Sequence, residues 1–113
     1  LNMTHKLTIR LPKKLAMNIS LLSEELGLSN SEMIRPSILK YVVSSNNLKS
    51  INGFSFNKDE IVRRTVNVND TVHRVLNVRS KEYGVSVNTM MVFIIHKTYI
   101  YYANILRDIR EIE

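Results

Sequence analysis

The sequence predicts an α+β fold, mainly helical, in which two strand-helix-helix units pair through a two-stranded antiparallel β-ribbon. Three observations predict it. Polar and apolar side chains alternate from Lys6 to Leu11, directly before a helical apolar stripe. The turn "GLSNSE", Gly27 to Glu32, separates that stripe from a second one. The whole pattern then returns 57 positions later, with Thr8 falling on Thr65, Glu25 on Glu82, Gly27 on Gly84 and Ser29 on Ser86. One such unit has an unpaired strand edge and too little surface to bury, so two copies are needed for one core. The 113 residues are therefore expected to divide into a first unit at 1–43, a linker at 44–61 and a second unit at 62–113.

Each element has a local reason. Leu7, Ile9 and Leu11 alternate with Lys6, Thr8 and Arg10, the period of a strand with one buried face. Pro12 ends that strand, because it lacks a ladder donor, and its fixed φ suits a helix beginning near Lys13. Leu15, Ile19, Leu22 and Leu26 then recur at spacings of four, three and four, one apolar stripe over about three turns. Gly27 can close this helix in the left-handed conformation, and Ser29 with Glu32 has the form of a capping box for the next. Met33, Ile34, Ile38, Tyr41 and Val42 line the second helix, which Pro36 must kink or deprive of one backbone bond. The Ser- and Asn-rich stretch from Ser44 to Asn57 reads as a linker, with Phe54 and Phe56 against the core.

In the second copy Val66 and Val68 stand for Ile9 and Leu11, while Val72, Leu76 and Tyr83 stand for Leu15, Ile19 and Leu26. Pairing the two strands antiparallel satisfies both edges. It also puts Lys6, Thr8 and Arg10 on one outer face with Arg63, Thr65 and Asn67.

These residues resemble the ribbon-helix-helix family of DNA-binding proteins, the group of MetJ and Arc that reads the major groove with a β-ribbon. The resemblance covers roughly Lys6 to Val43 and Arg63 to Ile100, and two units in one chain resemble the tandem regulators of some archaeal viruses. It implies a sequence-specific regulator of double-stranded DNA whose alternate strand residues reach base edges, and since nothing in the sequence looks like an activation surface, a repressor is expected. The side chains fit independently: Lys6, Arg10 and Arg63 can donate to guanine O6 and N7, Asn67 can pair with adenine, and Thr8 or Thr65 can meet a thymine methyl. The resemblance also implies a phosphate at the start of each second helix, on Ser29, Asn30 and Ser31 in one unit and Ser86, Val87 and Asn88 in the other. A net charge of +6 and a pI near 9.8 suit a polyanionic partner.

Departures from the repeat set further expectations. Arg64 replaces the apolar Leu7, and Asp70 follows the second strand where Lys13 follows the first, so the first unit is expected to bind the more tightly. One half of the ribbon is expected to show Lys6, Thr8 and Arg10 and the other Arg63, Thr65 and Asn67, which favours an imperfect palindrome as the operator.

Other classes find little support. Cysteine is absent, so there is neither a disulfide framework nor a thiolate nucleophile. His5, His73 and His96 show no ligand spacing, and no phosphate-binding loop or nucleophile elbow occurs; no enzyme, metal, cofactor or small-molecule substrate is expected. The longest apolar run, Met90 to Ile95, is far too short to span a membrane, and nothing has the form of a signal peptide, so a cytoplasmic location is expected, the host's if the source is viral. The C-terminal stretch is apolar nearly all round at first, as a buried helix is, and then offers Tyr102, Ile105 and Ile109 to a partner, whether a second copy or another protein. An antitoxin-like protein-binding module that autoregulates through DNA binding is the competing class.

Overall fold

The structure, a computed structural model, describes residues 3–113. The order strand-helix-helix occurs twice: β1 (Thr4–Pro12), α1 (Lys13–Leu26) and α2 (Asn30–Val43), then β2 (Ile61–Asn69), α3 (Asp70–Tyr83) and α4 (Val87–Ile112). The fold is α+β, mostly helical, with one two-stranded antiparallel sheet. β2 begins at Ile61, inside the stretch expected to be linker, where it pairs with Pro12.

β1 and β2 pair within the chain, and Thr8 faces Thr65. Those two residues are repeat counterparts, so the ribbon is centred on the pseudo-twofold axis that relates the copies. The inner face buries Ile9, Leu11, Val66 and Val68 against the helices. The outer face leaves Thr4, Lys6, Thr8, Arg10, Arg63, Thr65, Asn67 and Asn69 exposed.

The turn between the helices is built the same way in both copies. Gly27 and Gly84 take φ of +68° and +67°, and the N–H of the next residue, Leu28 or Val85, donates back to Ser23 or Ser80. Only glycine holds that conformation without strain between Cβ and the following carbonyl. The helices that follow begin on Ser29 and Ser86, whose hydroxyls accept from the backbone of Glu32 and Thr89.

α4 is the central rod. Met90 through Ile95 are all at most 2% exposed, because the first half of this helix is packed on every side. α2 passes through Pro36, which is exposed, so its missing donor lies on the outside of the helix.

The linker is more ordered than its composition suggests. Two 3₁₀ turns, Ser45–Leu48 and Ile51–Gly53, drive Leu48 and Ile51 fully into the core. Phe54 meets Phe93 edge-on with ring centroids 5.3 Å apart, and the Lys13 N–H donates to the Glu60 carbonyl at 2.9 Å, tying the end of the linker to the start of α1. Isolated apolar residues in a polar stretch carry no period, so the sequence does not predict the burial of Leu48 and Ile51.

Candidate nucleic-acid interface

The outer face of the ribbon brings together all six strand residues singled out from the sequence. Lys6 faces Asn67, Thr8 faces Thr65, and Arg10 faces Arg63. Directly opposed like charges cost free energy in a ribbon, where Cβ atoms lie about 5 Å apart. Neither arginine has a carboxylate partner among the described residues. Two opposed, exposed arginines without a carboxylate partner make this the most cationic point of the ribbon face.

Helix starts flank the ribbon on either side. At the α4 start, the Asn88 side chain takes the place of a third strand: its Oδ1 accepts from the Arg10 N–H at 2.8 Å and its Nδ2 donates to the Arg10 carbonyl at 2.9 Å. The Asn88 amide side chain is thereby committed to β1, which leaves the backbone N–H groups of Val87 and Asn88 as the available donors there. Ser86 Oγ accepts from Thr89 N–H and donates to Thr89 Oγ1, so this start holds only neutral groups.

The α2 start differs. Glu32 stands where Thr89 stands in the other copy and closes a full capping box, accepting the Ser29 N–H at 3.0 Å while its own N–H donates to Ser29 Oγ. The Ser29 N–H first, then the Ser29 hydroxyl, with Arg35 nearby, hold the Glu32 carboxyl below its usual range. Ser31 and Glu32 share an open cleft of about 700 Å³ with Thr4, Asn67 and Asn69. Asn30 Oδ1 is buried without a donor.

The division of the ribbon into halves therefore departs from the sequence expectation. Antiparallel pairing mixes the copies: Arg10, Arg63 and the α4 start form one end, Lys6, Asn67 and the α2 start the other, and Thr8 with Thr65 lies between. Neither end belongs to the first unit or to the second, so tighter binding by one unit is not a distinction the structure makes. It is the sum of strand positions in each pair that is constant in an antiparallel register, whereas the sequence reading kept each strand whole.

Asp70, expected to lower the local potential, sits at the Lys6 end. Its carboxylate accepts the Met3 N–H at 2.8 Å and contacts the His5 ring. Those contacts, Met3 first, hold the Asp70 carboxyl below its usual range. His5 stacks on His73 with ring centroids 4.1 Å apart. His96 lies away from both, beside Phe54, where burial first and Lys97 second depress its pKa. Among the described residues no three His, Cys, Asp or Glu side chains gather where they would hold a metal ion, and no helix is long and apolar enough to cross a membrane.

Three side chains beside the ribbon have contacts that the sequence does not reveal. Asn88 is legible only for its amide, Glu32 only as a cap, and Arg64 only as a break in the repeat. The swap of Glu32 for Thr89 was visible in the self-comparison; the reach of Asn88 to a strand 78 positions away was not. Comparison of the chain with protein-family models, with curated proteins and with solved structures finds no match.

Proposed function

We propose that the chain is a sequence-specific double-stranded DNA-binding regulator of the ribbon-helix-helix type, a repressor without enzymatic activity, that lays its β-ribbon in the major groove. The observation that carries this reading is the pair Arg10 and Arg63, opposed across an exposed ribbon and without a carboxylate between them. A two-stranded ribbon fits a major groove about 12 Å wide, and its outward arginines then meet guanine edges while the helix starts face the flanking phosphates. The two ends carry different donors, so the preferred site is an imperfect palindrome, with guanine opposite Arg10 and Arg63 and adenine opposite Asn67.

Selection of duplexes from random sequence, followed by titration of variants on the selected duplex, tests the reading. Arg10→Ala is expected to weaken binding by about 1–3 kcal/mol and to relax one base position. Lys81→Ala, which removes an equal charge from the end of α3, is expected to change little. Failure to enrich any sequence, or equal loss in both variants, rejects the proposal.

A second reading, contact with a further protein or a second copy, draws on the end of α4. Tyr101, Ile109 and Ile112 are exposed there, whereas Tyr102 lodges instead beside Pro36 and Tyr41 of α2 and Ile105 is half-buried.

A further inference from the structure

Arg64 occupies an inward position of the ribbon. It pairs with Ile9, a core residue, and its repeat counterpart Leu7 packs against the core. Arg64 is nevertheless exposed. Its backbone faces the helices, but the long side chain carries the guanidinium out past the strand edge, as arginine stems commonly do. There Nη1 donates to the Arg63 carbonyl at 2.9 Å, and no ion pair engages the group among the described residues. Arg64 also lines a small cavity of about 60 Å³ with Asn30, Ser31 and Ile34, which places the residue beside the first turn of α2.

We infer that Arg64 is a phosphate-binding residue, which grips the DNA backbone beside the α2 start and supplies there the positive charge that Glu32 takes away. The inference rests on the DNA-binding reading above. With the outer face of the ribbon in the groove, the outer edge of each strand faces one wall of phosphates. On β1 that edge is filled by Asn88 and the neutral α4 start. On β2 the corresponding edge has Ser31, too short to bridge to the strand as Asn88 does, and a carboxylate one residue further on. An anion approaching this side meets Glu32, so free amides alone make a poorer site than at α4; an unpaired guanidinium with a planar fork of donors restores it.

The native protein, Arg64→Leu, Arg64→Lys, Arg64→Gln and Arg10→Ala are titrated over a series of salt concentrations, on a selected duplex and on a random one. Arg64→Leu restores the residue of the repeat and is expected to melt at the native temperature or above it. Its affinity is expected to fall by the same factor on both duplexes, and the slope of log K against log salt to become shallower by about 0.9, the release of counterions from one phosphate. Arg64→Lys is expected to keep the slope, and Arg64→Gln repeats the charge loss if the leucine variant folds poorly. Native affinity and slope in Arg64→Leu and Arg64→Gln, with Arg10→Ala weakened on the selected duplex, overturn the inference and leave the DNA reading standing. Native behaviour of all the variants on the selected duplex overturns both.

Discussion

The starts of α2 and α4 occupy equivalent places in two copies of one pattern, yet they are chemically opposite. Each begins with a serine that accepts from the backbone three residues on, after a glycine turn of nearly identical φ. At α2 the third residue is Glu32, an ionised carboxylate; at α4 it is Thr89, and Asn88 clamps the strand instead. Backbone geometry survives such exchange because caps and left-handed glycines depend on local bonds, which many side chains satisfy. Electrostatics do not survive it. A duplicated fold can therefore keep its twofold ribbon while each end acquires its own affinity for charge.

The ends of the same two helices differ more, and that contrast offers the largest test. α2 stops at Val43, before a run of Ser and Asn in which Asn47 Nδ2 donates to the Lys40 carbonyl. Its last carbonyls are held from α3: Arg79 Nε donates to Val42 O at 2.6 Å and Nη2 to Val43 O at 2.8 Å, while Nη1 pairs with Glu82 at 2.9 Å. Where α2 ends, α4 runs on to Ile112, so no carbonyls are stranded, and the counterpart of Arg79 is Leu22, which is buried. Arg79→Leu makes the copies alike but leaves α2 uncapped. It is expected to lower unfolding stability by about 2–3 kcal/mol, the worth of charged hydrogen bonds to helix-end carbonyls. Urea denaturation measures this, and a loss no larger than that of an exposed substitution such as Lys81→Ala contradicts the role given to Arg79.

A middle-sized effect separates the strand edges. Asn88→Ala deletes two hydrogen bonds to the Arg10 backbone and is expected to cost about 1–2 kcal/mol, whereas Ser31→Ala, at the equivalent place, is expected to cost close to nothing. Amide hydrogen exchange at Arg10 reads the same contact directly: its protection should fall in Asn88→Ala alone. Equal costs for the two substitutions would mean that the β1 edge owes its order to the ribbon pairing and not to Asn88.

Much of this architecture was legible in advance, and the reasons are physical. Periods of two and 3.6 mark Lys6–Leu11 and the stripe from Leu15 to Leu26 because one face of each is buried, and the glycine turns mark themselves through conformation. Self-comparison did the rest, since the strand order and the shared face of Lys6, Thr8, Arg10, Arg63, Thr65 and Asn67 follow once two copies must close one core. What stayed hidden depends on long-range placement. Leu48 and Ile51 enter the core from a polar stretch with no period of its own. Arg79 and Asn88 meet carbonyls and amides far along the chain, and no local pattern names a partner 37 or 78 residues away. Arg64 was noticed as an exception, but its inward strand position says nothing of where a flexible guanidinium ends. The make-up of the two ribbon ends was missed because the copies were kept whole, and the register mixes them.

Glu32 against Thr89 gives the smallest effect and the sharpest comparison, because it is a matter of pH. The Glu32 carboxyl titrates below its ordinary value near 4.5, held there first by the Ser29 N–H, then by the Ser29 hydroxyl, and last by Arg35. A carboxyl with a depressed pKa in the folded state binds its proton more readily in the unfolded chain. Its contribution to stability is therefore complete above about pH 4.5 and is lost as the pH falls through the folded value. Glu32→Gln keeps an oxygen that can accept the Ser29 N–H but removes both the charge and the titration. The native protein should thus be slightly the more stable at neutral pH, and the two should converge on acidification below pH 4.5. The Asp70 carboxyl, also depressed, and His96, whose contribution begins to fade already near pH 6.5, titrate alike in both proteins and cancel from the difference. Thr89→Gln, made at the equivalent place in α4, adds no titrating group and should shift the stability curve by the same amount at every pH. Melting temperatures of the three proteins between pH 3 and pH 7 decide the matter: a Glu32→Gln difference that does not vary with pH would show that the carboxylate at the α2 start is a solvated charge, not a member of the cap.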